Sequence, residues 1–125
     1  MSNEADDYGA EKLDDTSLQN VMNHLHHADL FIGLSSGISW LNWAISKHTV
    51  MISNFTTEDH EFQQDCTRIN NTDVCHGCWN NPVFKFNKGD WKWCPEHEDT
   101  PRQFECHKSI SVNDVAMVVK ALVHT

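Results

Sequence analysis

The sequence has 125 residues, 39% hydrophobic and 22% charged, with a formal net charge of -9. That length suits one domain with a small core. A surface this acidic argues against binding nucleic-acid backbone, which needs clustered Lys and Arg, and against anionic membranes.

No run of about 18 apolar residues offers a membrane span. The start, Met-Ser-Asn-Glu-Ala-Asp-Asp, lacks the basic-then-apolar pattern of a secretory signal. The expected compartment is a reducing cytoplasm. Five cysteines there read as metal ligands before disulfides. The sequons at Asn54 and Asn70 then read as chance.

Residues 1–12 read as a disordered, acidic lead-in. A helix is expected from Thr16, with Thr16 and Gln19 as a capping box and Leu18, Val21, Met22 and Leu25 as its stripe. Leu30-Phe31-Ile32, stopped by Gly33, reads as a buried parallel strand. Ser35-Ser36-Gly37 is a turn. A second helix is expected over Ile38–Ser46, burying Trp40, Leu41, Ala44 and Ile45. Thr49-Val50-Met51-Ile52 is the next strand. This order predicts a βαβ unit at one edge of a larger α/β domain. From Asn54 onward, periodicity is lost. Residues 64–108 hold every cysteine and read as a long loop that needs a ligand to order it. A last helix spans Val112 to Val123, capped by Ser111 with Asp114 in its first turn. Its stripe is Val115, Val118, Val119 and Leu122.

Two segments carry chemistry. Cys75-x2-Cys78, followed by Cys94 and Cys106, supplies four soft ligands for a tetrahedral zinc or iron ion. Gly77 permits the tight turn and Cys66 is the spare. His76, His97 and His107 flank the ligands and could substitute in a mixed site, although an exposed or outer-layer role suits them better. The competing readings are a redox C-x2-C and a set of buried thiols. A closed four-thiolate site would be structural rather than catalytic. The second segment is the turn. Free amides at a helix N-terminus attract phosphate, so Ser35, Ser36 and Gly37 could cradle a diphosphate. On the residues alone, a plain strand-to-helix turn with a serine cap is the stronger reading. Trp40, Trp43, Trp91 and Trp93 read as packing residues. Glu58, Asp59 and Glu61 read as a solvated loop with no acid/base pair.

Residues 28–37, Ala-Asp-Leu-Phe-Ile-Gly-Leu-Ser-Ser-Gly, resemble the donor-side signature of heptosyltransferase-like GT-B glycosyltransferases, with Ser35 where an acid is typical. Thr49 and Asn54 stand where many members have proline and glycine. Val50-Met51-Ile52-Ser53, Glu61-Phe62, Cys75-His76-Gly77-Cys78-Trp79-Asn80, Trp93-Cys94-Pro95 and Phe104-Glu105-Cys106 extend the match. Together they resemble the bacterial autotransporter strand-loop-strand O-heptosyltransferases. The resemblance implies a partial Rossmann-like C-terminal, donor-binding domain of a GT-B enzyme, with a four-cysteine metal-binding loop insertion. Its divisions would be a lead-in (1–12), a partial nucleotide-sugar donor-binding α/β unit (13–63), the four-cysteine loop (64–108) and a C-terminal helix (109–125). It implies an ADP-heptose donor, serines of autotransporter adhesin passengers as acceptors, and large homo-oligomers in the bacterial cytoplasm. It makes Cys75, Cys78, Cys94 and Cys106 ligands of one structural metal ion, iron favoured and zinc possible. It sets Ser35, Ser36 and Gly37 along the donor diphosphate. The acceptor domain and catalytic base of such enzymes precede this part, so the expectation is no transfer by this chain alone. The alternative is a non-catalytic, metal-stabilised binding or oligomerisation module.

Overall fold

The computed structural model describes residues 9–85 and 93–123. Most of the expected lead-in, and Trp91, lie outside the described residues.

Helix α1 spans Leu18–His27. Its cap is Ser17, one residue beyond the expected Thr16. The Ser17 hydroxyl accepts from the Asn20 amide at 3.4 Å, while Asp15 accepts from the Ser17 amide at 2.9 Å. Gln19 is not drawn back to the cap and donates to Asn23 at 3.2 Å. Asp15 fixes the frame: by holding the Ser17 amide it leaves the Ser17 side chain aimed into the first turn.

Strands β1 (Phe31–Gly33), β2 (Thr49–Ile52) and β3 (Cys66–Ile69) form one parallel sheet in the order β1-β2-β3. Phe31 lies opposite Thr49, and Thr49 opposite Cys66. β2 is therefore central, and Thr49, Val50 and Met51 are fully buried. This run lacks alternation because both of its faces are covered. β3 corrects the expectation of an irregular segment after residue 64. Cys-Thr-Arg-Ile is short and partly polar, and pairing with β2 makes it a strand.

Helix α2 covers Gly37–Ala44 and links β1 to β2. Its buried residues are Ser39 and Asn42, not the expected Trp40 and Ala44, which are exposed. Asn42 Nδ2 donates to the carbonyls of Lys47 and His48 and to the Thr49 hydroxyl, at 3.1, 3.2 and 2.9 Å. A buried amide with three acceptors fixes the helix end against the central strand. Trp40 and Trp43 instead flank Phe62, with ring centroids 5.0 and 5.8 Å away. Helix α3 is short, Glu105–Lys108. Helix α4 runs Val112–Val123. Ser111 and Asp114 cap it reciprocally at 3.0 and 2.9 Å. Its expected stripe is only half-buried, and Met117 and Val123 are exposed. Among the described residues, no helix is long and apolar enough to cross a membrane.

Candidate metal centre and donor turn

The cysteine segments are hung on the two residues that follow β2 and Ser53. The Gly77 and Trp79 amides donate to the carbonyls of Asn54 and Phe55 at 2.8 and 2.9 Å. This docks the C-x2-C turn beside the sheet. Gly77 has φ of 68°, and a Cβ there would meet Thr57 Cγ2 at 3.0 Å, so both backbone and space call for glycine. The Trp79 indole donates to the Trp93 carbonyl at 2.9 Å, which fixes the approach to Cys94. Phe55 stacks between Trp79 and His107, with centroids at 4.8 and 4.0 Å.

Asn54 is the hub. Its side chain is 1% exposed. Its Nδ2 donates to the carbonyls of Asn71, Cys75 and Cys106 at 2.8, 3.5 and 3.4 Å, and its Oδ1 accepts from the Asn71 amide at 3.1 Å. The Asn54 amide donates to His107 Nε2 at 3.2 Å. That bond gives His107 a structural role and leaves its Nδ1 carrying the proton. Burial also holds the His107 pKa below its ordinary value. His76 is exposed and hydrogen-bonded to the Val74 carbonyl at 2.8 Å. Sequence reasoning missed this role of Asn54, which reads there as a chance sequon and as a residue standing where many relatives have glycine. Asn54→Ala should cost about 2 kcal/mol, because it leaves groups of residues 71 and 75 without the partners that Asn54 supplies, while the Cys106 carbonyl keeps the Ser109 hydroxyl at 2.7 Å. Chemical denaturation of the variant measures that loss.

Cys78, Cys94 and Cys106 are buried, and Cys75 is half-buried. Burial, then the nearby Cys94 and Cys75, push the Cys78 thiol up to about 11. Burial, then Cys75, push the Cys106 thiol up to about 12. Thiols that raise one another's pKa ionise together more readily beside a cation, and sulfur donors suit a soft or borderline ion. Among the described residues the four cysteines do not bring their sulfurs within 4.8 Å of one another as a group, and the group that does so is a mixed one. One ligand atom each from Cys75, His97 and Glu105 lies within 4.8 Å of the others. Cys66 stands apart on β3, with its thiol raised by burial.

Ser35, Ser36 and Gly37 follow the carboxyl end of β1. Ser36 caps α2, and its amide donates to Ser39 Oγ at 3.0 Å. Ser36 and Gly37 face an open groove of about 980 Å³, lined also by Leu18, Leu34, Trp40 and Leu41. A Cβ on Gly37 would meet nothing within 4 Å. Ser35 turns the other way, to Glu61. Glu61 is not solvated as expected: it is 5% exposed and paired with Arg68 Nη1. The Thr56 hydroxyl donates to the same carboxylate. Arg68 Nη2 donates to the Thr56 carbonyl at 2.6 Å and reaches Ser53 Oγ at 3.3 Å. Burial pushes the Glu61 carboxyl up, but the bonds from Thr56, Arg68 and Ser35 outweigh it and hold the pKa below the ordinary value.

The molecule is thus an α/β chain in which a strand–turn–helix unit leads into a parallel sheet and the C-x2-C turn docks on the residues that follow it. Over most of its length it is homologous to the autotransporter heptosyltransferases. It is 44% identical over 105 residues to the autotransporter heptosyltransferase Aah of Escherichia coli, which covers 84% of this chain and 27% of that protein. It is 35% identical over 108 residues to BimC of Burkholderia thailandensis, an inactive autotransporter heptosyltransferase, covering 86% and 25%. The crystal structure of TibC from enterotoxigenic E. coli H10407 matches with a TM-score of 0.79 and 42% identity, over 86% of this chain and 28% of that one. TibC is a dodecameric, iron-containing heptosyltransferase crystallised with ADP-D-beta-D-heptose. The chain therefore spans about a quarter of the length of these relatives. No protein-family model matches it.

Proposed function

We propose that this chain is the donor-binding part of a protein O-heptosyltransferase, a partial Rossmann-like C-terminal domain of a GT-B enzyme. The reading is carried by the open Ser36-Gly37 turn at the start of α2, in a segment 42% identical to an enzyme crystallised with ADP-D-beta-D-heptose. First-turn amides without intrahelical partners would face the ADP-heptose diphosphate, and helix N-termini favour such anions. Ser36 would add its hydroxyl and Gly37 would let the ligand approach the backbone. Ser35 would act behind them, holding the turn through Glu61.

In this reading residues 13–63 form the donor unit, 64–108 the metal-binding loop, and 109–125 a closing helix. Cys75, Cys78, Cys94 and Cys106 would hold one structural ion, iron by analogy with TibC and zinc as the alternative. The ion would contribute folding energy and orient the loop, with no part in transfer. Acceptor serines of autotransporter adhesins would be bound by the remaining three quarters of a relative's length, so this chain would not transfer heptose alone. Its expected setting is the bacterial cytoplasm, within a homo-oligomer.

Gly37→Ala tests the donor site without disturbing the fold, because the added methyl meets open space. Its melting temperature should be unchanged or slightly higher. Its ADP-heptose affinity, measured by calorimetry, should fall about tenfold, a loss of about 1.4 kcal/mol. Equal affinities for variant and wild type would remove the turn from the site. The second reading, a binding or oligomerisation module, is favoured by the exposure of Leu18, Leu34 and Trp40 around the same groove. The similarity to BimC, a relative named inactive, points the same way. It predicts concentration-dependent association with no response to ADP-heptose.

A further inference from the structure

At the outer flank of the cysteine cluster, Cys75 meets two side chains that the four-thiolate site does not use. Ligand atoms of Cys75, His97 and Glu105 lie within 4.8 Å of one another. All three residues are half-buried, whereas Cys78, Cys94 and Cys106 are buried. His97 Nε2 has no hydrogen-bond partner, although solvent does not reach it. It stands 3.9 Å from Glu105 Oε1, too far for a hydrogen bond and wide enough for both atoms to reach one ion. Glu105 is aimed by Arg102, whose Nε and Nη2 donate to its two oxygens at 2.8 and 2.6 Å. The Cys75 thiol hydrogen-bonds to the same carboxylate, a contact that shared ligation of an ion would replace once the thiol proton leaves.

Sulfur, imidazole and carboxylate together suit zinc or ferrous iron, and three protein ligands leave positions for water. That is the make-up of a site that exchanges its ion, and a closed four-thiolate site is its opposite. Cys75 belongs to both sets. An ion bound at the flank could therefore exchange His97 and Glu105 for Cys78, Cys94 and Cys106 without leaving Cys75. Each thiol that joins would release its proton to solvent.

We propose that Cys75, His97 and Glu105 form an entry site for a divalent cation, zinc or ferrous iron, which loads the four-cysteine centre. This rests on the reading of Cys75, Cys78, Cys94 and Cys106 as one metal site. The test uses the full chain loaded with zinc, so that it stays folded, kept under reducing conditions and mixed rapidly with excess cobalt(II). The thiolate-to-cobalt absorption then reports arrival at the quartet. His97→Ala should slow its appearance by about tenfold or more. The final band and the final cobalt per chain should match wild type. Glu105→Gln should also slow loading, and circular dichroism checks that both variants are folded before mixing. Wild-type rates in both folded variants would overturn the entry site. So would a final His97→Ala band with weaker thiolate absorption, which would make His97 a resident ligand. A folded wild-type chain that takes up no zinc and develops no thiolate band would instead overturn the four-cysteine reading beneath it.

Discussion

Cys78→Ser should leave the chain without its ion and unfolded or insoluble under conditions where the wild type melts cooperatively. Cys78 sits at the start of a short 3-10 turn, 5% exposed, with Cys94 and Cys75 near enough to raise its pKa. Nothing apolar can replace what an ion would do there, because the segments around it have few regular backbone bonds of their own. Structural zinc contributes about 10–16 kcal/mol in small metallopeptides, as much as the whole stability of a typical domain. Losing one of four ligands forfeits a large share of that. Elemental analysis and a thermal melt measure the two losses together. Cys66→Ser is the control. It lies on β3, and its thiol is perturbed by burial, Arg68 and Glu61 rather than by the other cysteines. It should keep metal content and shift stability by about 1 kcal/mol or less. A Cys78→Ser melt matching wild type would sink the structural-metal reading. Since the Cys78 and Cys106 thiols sit at about 11 and about 12, loading must displace protons. Apparent metal affinity should therefore rise with pH through the neutral range.

The local elements were legible where one short segment decides the outcome. Thr49–Ile52 is a strand because four successive residues are β-branched or apolar. Ser111 and Asp114 cap α4 because both halves of the motif lie within one turn. The α/β class follows from such segments in order. What was hidden depends on partners distant in the chain. β3 is a strand through its pairing with Thr49 and Val50, on the far side of a long connection. Asn54 becomes a hub only when residues 71, 75 and 106 arrive around it. Glu58, Asp59 and Glu61 look alike in sequence, yet only Glu61 is buried, because Arg68 reaches it from β3. The α2 face was misread because tryptophan is expected inside, whereas Ser39 and Asn42 satisfy their polar atoms locally and let helix and sheet approach closely.

Glu61→Gln should cost about 3–5 kcal/mol, a large fraction of the stability of a chain this size. The substitution keeps the shape but removes the charge facing Arg68, whose side chain is 11% exposed beside a Glu61 side chain at 1%. Arg68 would keep the Thr56 carbonyl and Ser53 hydroxyl, with Nε already lacking a partner. An unmatched guanidinium would then remain in the interior. Removing both charges, with Glu61→Gln and Arg68→Met together, should cost less than the sum of the two single changes. Denaturant melts of all four proteins give the coupling, and strictly additive costs would show that the pair is not a unit. Acid should mimic the single variant. The Glu61 pKa is depressed in the folded chain, so its contribution is present above the unfolded carboxylate value and is lost as pH falls through the folded one. Wild type should therefore lose more stability than Glu61→Gln on acidification through that window. The consequence extends beyond stability, because the same carboxylate holds Ser35 behind the donor turn, and Thr56 ties it to the segment that carries Asn54 and Phe55. Glu61 is thus a junction between the proposed donor turn and the metal centre. Loosening it should weaken ADP-heptose binding at temperatures where the chain is still folded, and a folded Glu61→Gln with wild-type affinity would confine its role to stability.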